Sequence, residues 1–114
     1  MEWQNGNHEG ERVIKLVGPL NLSTIFEFQD EVRKAPPAVT IIDMTDVPHM
    51  DSAALGSLLG FHVSCQKNRR KYALIGVADR LQTLLTGIGG VLLTYASLTE
   101  AEEHLYGTAA SPSG

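Results

Sequence analysis

Cysteine is nearly absent from this chain of 114 residues: Cys65 stands alone, so no internal disulfide can form and a reducing compartment fits best. A basic excess is missing too. The net charge is −4, which argues against nucleic acid or an anionic membrane surface as the partner. No apolar run approaches the roughly 20 residues needed to cross a bilayer. Met1-Glu2-Trp3-Gln4-Asn5-Gly6-Asn7 is polar and acidic, so no signal peptide is expected to begin there, and a cytoplasmic protein is the expectation. Internal repeats are absent. Residues 107–114 have the composition of a disordered tail. The rest, 1–106, is expected to form one domain, because a chain with 43% apolar and 19% charged residues can build a single core without staples.

What the chain does contain is alternation. Met1 to Gln4 can form a short edge strand hairpinned to a strand at 12–17, Arg12-Val13-Ile14-Lys15-Leu16-Val17, through the turn-rich Asn5 to Gly10. Gly18-Pro19 ends that strand. A helix is expected from about Thr24, which is spaced with Glu27 as a capping box, and Ile25, Phe28 and Val32 share one face. Pro36-Pro37 stops it. The apolar run at 39–44 suits a central strand covered on at least one side. A second helix is expected from Ser52 to about Gln66, with Leu55, Leu58 and Leu59 on its core face. Its basic end, Lys67, Arg69, Arg70 and Lys71, complements the helix C-terminus. A strand at 72–77 follows, then a helix from 78 through Leu81, Leu84 and Leu85, stopped by Gly87-Ile88-Gly89-Gly90. A strand at 91–95 and a last helix near 99–106, capped by Ser97 or Thr99, complete the order. This pattern predicts an α/β domain with a mixed, mostly parallel sheet, an N-terminal hairpin and about four helices.

Chemistry is sparse. Gly87-Ile88-Gly89-Gly90 follows a helix and precedes a strand, the reverse of a phosphate-binding loop. His62 and Cys65 are two potential ligands three residues apart, too few for a metal, so a packed histidine and a buried thiol are expected, with no metal and no cofactor. Ser52 has His49 nearby but neither an orienting carboxylate nor a Gly-x-Ser-x-Gly elbow. Nothing assembles a catalytic constellation, so the chain is not expected to be an enzyme. Asp43, Asp46 and Asp51 form the one acidic concentration, at or beyond the C-terminal end of a parallel strand, where open α/β sheets place ligands. Turn and helix capping is the competing reading of all three. The same two readings stand for Ser52, which can be a helix cap or a phosphate acceptor at a helix N-terminus.

The element order from about residue 11 to 106 resembles that of STAS domains, the module of bacterial anti-sigma factor antagonists. Leu16-Val17-Gly18-Pro19-Leu20 is similar to that family's glycine-containing strand end. Ile41-Ile42-Asp43-Met44-Thr45-Asp46-Val47 is similar to its apolar-Asp-apolar strand and turn. Met50-Asp51-Ser52-Ala53-Ala54-Leu55-Gly56 resembles its Asp-Ser-Ser/Thr-Gly-Leu-Gly signature. Arg80 to Gly87 and Ser97 to Ala101 are like its closing half. The resemblance implies a non-enzymatic switch, monomeric or weakly dimeric. Ser52 matches the serine that a partner anti-sigma factor, a serine kinase of the ATPase fold, phosphorylates; the unphosphorylated form binds that kinase. The same fold also serves as a non-phosphorylated interaction subunit in stressosomes and lipid-transport ATPases.

Three departures bear on the switch. Ala53 replaces the usual second hydroxyl residue, Ala54 replaces glycine and stiffens the helix start, and Asn21 stands where the family often has an aspartate. If that acid places the kinase's substrate or metal, phosphotransfer here is slow or absent. The partner surface is expected to comprise Pro48, His49, Met50, Asp51, Ser52 and Ala53, with Ser57 on the exposed side of the helix. Asp43 and Asp46 are expected near Ser52, and Met50 either anchors a partner or folds back into the core.

Overall fold

Five strands lie side by side in the order β1-β2-β3-β4-β5. The computed structural model describes residues 2–34, 37–87 and 93–106. β1 (Glu2–Asn5) is antiparallel to β2 (Glu11–Val17), and β3 (Val39–Asp46), β4 (Lys71–Ile75) and β5 (Thr94–Tyr95) extend the sheet in parallel. Helices α1 (Leu22–Lys34), α2 (Ser52–Lys67) and α3 (Asp79–Gly87) connect the parallel strands, and α4 (Leu98–Tyr106) follows β5. A parallel sheet that steps always in one direction, through right-handed crossovers, carries all its crossover helices on one face. That is what forms. Ile25 and Phe28 of α1, Ala54, Leu58 and Cys65 of α2, and Leu81 and Leu85 of α3 bury against Ile14, Leu16, Ile42, Met44 and Leu74.

α4 is not a crossover and takes the other face, where Ala101 packs with Val13, Val39, Ile41, Ala73 and Ile75. β3 is therefore covered on both sides, which explains its near-continuous apolar sequence. The hairpin, the mixed sheet and the four helices are as expected from the sequence. So is the core face of α2, where Leu58 is buried and Leu55 and Leu59 pack beside it.

Boundaries differ where tertiary contacts override local pattern. α1 begins at Leu22, because Asn21 and not Thr24 caps it: Asn21 Oδ1 accepts the Thr24 N–H at 3.1 Å, and Asn21 O accepts the Ile25 N–H. The Thr24–Glu27 capping box does not form. β3 runs two residues past Met44, so Asp43 lies inside the strand rather than at its end. β4 stops at Ile75 because Gly76 turns the chain with φ +68°. Ser97, not Thr99, caps α4, its hydroxyl accepting the Glu100 N–H at 3.2 Å. The expected stop at Ile88-Gly89-Gly90, the first residues of the strand at 91–95, Pro36 and the tail at 107–114 lie outside the described residues.

His62 and Cys65 are both packed. Phe28, Phe61, Tyr72 and His62 form a chain of edge-to-face contacts with centroids 5.2, 5.7 and 5.5 Å apart. The Tyr72 hydroxyl shares a 2.6 Å hydrogen bond with His62 Nδ1 and accepts the Leu93 N–H at 3.1 Å. Cys65 is 3% exposed, and burial pushes its thiol up to about 11. Since the thiolate is the reactive form, native protein at pH 8 is expected to resist thiol-reactive reagents over hours and to label at once in denaturant. Fast labelling of the folded chain would contradict this packing.

Candidate functional site

Two helix N-termini stand side by side at the C-terminal edge of the parallel strands. Leu20 and Met50 pair as an isolated parallel bridge, with Leu20 N–H donating to His49 O at 2.9 Å and Asp51 N–H to Leu20 O at 3.1 Å. Each of the two residues directly precedes a cap, Asn21 for α1 and Asp51 for α2. One turn earlier, Gly18 N–H donates to Asp46 O at 2.9 Å, and its φ of +86° needs a residue without a Cβ. The loops 18–21 and 46–51 are thus stitched together before either helix starts. Leu20, Val47 and Met50 are buried, while Pro48, His49, Asp51, Ser52 and Ala53 are exposed. Three apolar anchors therefore hold an exposed polar rim on a fixed backbone.

At the centre of that rim the two readings of Ser52 separate. Asp51 is the cap: its backbone is extended (φ −94°, ψ 176°), and its Oδ1 accepts the Ala54 N–H at 2.8 Å. Ser52 is the first helical residue, and no hydrogen bond to its hydroxyl occurs among the described residues. Its side chain is not spent on the helix. Neither α1 nor α2 carries an acidic residue in its first turn, so little beyond the Asp51 cap offsets the positive potential of the two N-termini. Asp51→Ala is accordingly expected to cost about 1 kcal/mol of unfolding free energy, and Ser52→Ala less than about 0.5 kcal/mol, both read by urea denaturation. Equal losses would return Ser52 to the status of a cap.

The expected acidic concentration does not gather around Ser52. In β3, Asp43 alternates with Ile42 and Met44, which face α1 and α2, so Asp43 lies on the opposite face; its Oδ1 accepts Thr45 N–H at 2.9 Å and Thr45 Oγ–H at 2.6 Å. Between β2 and β3 the register slips, with Lys15 opposite Asp43 and Val17 opposite Asp46. This extra residue turns Asp46 toward Lys15, whose Nζ it meets at 3.1 Å. The hydrogen bond and charge of Asp46 raise the Lys15 pKa. Asp51 alone of the three is beside Ser52, and its side chain is engaged as the cap.

Of the two readings of Met50 the structure gives the second, and Ser57 stands differently from expectation. Met50 is 8% exposed and belongs to the core, because its bridge to Leu20 turns the side chain inward beside Val47, and it offers no accessible anchor. Ser57 is half-buried and lines a cleft of about 330 Å³ between α1 and α2 rather than an open face. Asn21 does sit beside the loop of Ser52, through the Leu20–Met50 bridge, but as the neutral cap of α1. No base approaches Ser52: His49 is exposed and hydrogen-bonds to it nowhere among the described residues. Among those residues no helix is long and apolar enough to cross a membrane.

The sequence profile of the STAS domain matches residues 2–101. No curated protein matches the chain. Among solved structures, a Thermotoga maritima protein described as an anti-sigma factor antagonist superposes with a TM-score of 0.80 at 17% identity, covering 92% of this chain and 93% of that one. A sulfate transporter family protein from Wolinella succinogenes is 28% identical with a TM-score of 0.63, covering 72% of this chain and 69% of that one. The anti-sigma factor antagonist SpoIIAA in its unphosphorylated form gives 0.70 at 16% identity, over 93% and 99% of the two chains. The phosphorylated form of SpoIIAA from Bacillus gives 0.68 at 18%, over 91% and 99%.

Proposed function

Because this chain belongs to the STAS domain family, we propose that it is a regulatory switch without catalytic activity, of the anti-sigma factor antagonist type. In this reading the unphosphorylated rim at 48–53 binds an anti-sigma factor that is also a serine kinase of the ATPase fold. Transfer of phosphate to Ser52 then releases it. The observation that carries the reading is the division of labour at the α2 N-terminus: Asp51 caps the helix, and the neighbouring Ser52 hydroxyl is exposed and uncommitted on a backbone held by Leu20, Val47 and Met50. A kinase needs a hydroxyl it can reach without unfolding its substrate, and a switch needs a site whose modification leaves the scaffold standing. SpoIIAA, similar in fold, exists in both phosphorylated and unphosphorylated forms.

Asn21 supplies the same cap to α1 that an aspartate would, so its replacement of the family's acid alters charge and not architecture. The test is to incubate the chain with its partner kinase and ATP and to map the modification by mass spectrometry. Phosphate on Ser52, abolished by Ser52→Ala, is the expected result.

A second reading is favoured by the 28% identity to a sulfate transporter family protein. In it the domain is a constitutive interaction subunit and Ser52 is never modified. Partner binding with no phosphate acquired, and indifferent to Ser52→Asp, would support it.

A further inference from the structure

At the other end of the sheet, where β2 begins, two distant parts of the chain meet around a buried carboxylate. Glu11 is 2% exposed. The Tyr106 hydroxyl of α4 donates to its Oε1 at 3.0 Å, while its Oε2 is buried with no hydrogen-bond partner among the described residues. The β1–β2 turn folds over it, with Gly6 N–H donating to Glu11 O at 2.8 Å and Glu11 N–H to His8 O at 3.1 Å. A Cβ at Gly6 would collide with this carboxylate, so the glycine leaves room for it. One ligand atom each from His8, Glu11 and Glu102 lies within 4.8 Å of the others. A buried carboxylate oxygen without a partner is costly, and a second carboxylate beside it adds repulsion. Something positive belongs between them.

We propose that His8, Glu11 and Glu102 form a binding site for one divalent transition-metal ion of the zinc class. Two carboxylates and one imidazole suit such an ion, whereas magnesium and calcium favour oxygen donors alone. Three protein ligands with a water in the fourth position is a familiar zinc arrangement. Zinc–ligand bonds of about 2.0–2.2 Å require the three donors to draw closer than they stand. Glu102 and His8 can do so, since they are half-exposed and exposed while Glu11 is held in place. The supporting contacts orient the ligands. Tyr106 fixes Glu11, Asn7 Nδ2 donates to both Glu102 oxygens at 3.1 and 3.2 Å, and the His8 ring stacks on Tyr106 with centroids 3.8 Å apart. A cleft lined by Asn5 to Arg12 and Pro37 includes His8 and Glu11 in its wall. The bound ion would fasten the β1–β2 hairpin to α4, away from Ser52 and independently of any switch there.

The test is calorimetric titration of zinc chloride into the full chain, free of affinity tags and stripped with chelator. One equivalent per chain is expected, with a Kd of about 10 µM or tighter and a melting temperature that rises with free zinc. Glu11→Gln, Glu102→Gln and His8→Ala should each weaken binding by about tenfold or more; His62→Ala and Cys65→Ala should not. Glu102 and His8 lie outside the core, so their variants carry the test if Glu11→Gln fails to fold. Absence of saturable binding would leave only a proton between the carboxylates and overturn the proposal. Stoichiometric binding that survives all three substitutions would overturn it equally.

Discussion

Ser52→Asp is expected to weaken partner binding by about tenfold or more, equivalent to about 1.4 kcal/mol, while melting within a degree or two of the parent chain. Ser52→Ala is expected to bind constitutively. Both expectations come from the same geometry. Asp51 Oδ1 occupies the Ala54 N–H and the Asp51 carbonyl accepts the Leu55 N–H, so the helix is already closed before position 52 contributes. A charge added at 52 meets the positive end of α2 and the neighbouring N-terminus of α1, which receive it without loss of structure. For a partner the consequences are opposite. A surface packed on the small Ser52 and Ala53 must desolvate one to two new negative charges, next to Asp51. The penalty falls on binding and not on folding. Asp43 and Asp46 are engaged elsewhere, the first by Thr45 and the second by Lys15. Measuring affinity and melting on the same preparations separates the two effects. A destabilised Ser52→Asp with unchanged affinity would reverse this account.

Met50→Ala is expected to cost about 2–5 kcal/mol of unfolding free energy, the range for truncating a buried methionine. The side chain sits in the core with Val47 and Leu20, two residues before the proposed phosphate acceptor. Its loss would leave a cavity under the loop that positions Ser52, a large share of the stability of a domain this size. The backbone bridge to Leu20 survives the substitution, so partner affinity in the folded fraction should fall far less than stability does. A cost below about 1 kcal/mol, with binding abolished, would instead make Met50 an exposed anchor.

The features legible in the sequence are those set by local pattern. The start of α2 follows from Pro48, Asp51 and the Leu55–Leu58–Leu59 face, and the sheet follows from the alternation of apolar strands with amphipathic helices. The features that were not legible depend on contacts between distant segments. Thr24 and Glu27 satisfy the spacing of a capping box, yet the Leu20–Met50 bridge fixes the chain so that Asn21 caps first. That same bridge buries Met50 amid exposed neighbours. The extra residue of β3 between Asp43 and Asp46 turns Asp46 toward Lys15, on the face that Asp43 also takes, which strict alternation would not give. The group at Glu11 is harder still to foresee. His8 lies in a turn, Glu11 opens a strand, and the Tyr106 hydroxyl that holds Glu11 is 95 residues away. No local periodicity reports such a meeting; only the placement of α4 on the second face creates it.

In the proposed switch a phosphate on Ser52 governs association. It is tested most directly by titrating the partner kinase with one preparation of the chain, phosphorylated stoichiometrically at Ser52, before and after phosphatase treatment. Removing the phosphate is expected to tighten the complex by about tenfold or more with an unchanged melting temperature. Equal affinities before and after treatment would contradict it.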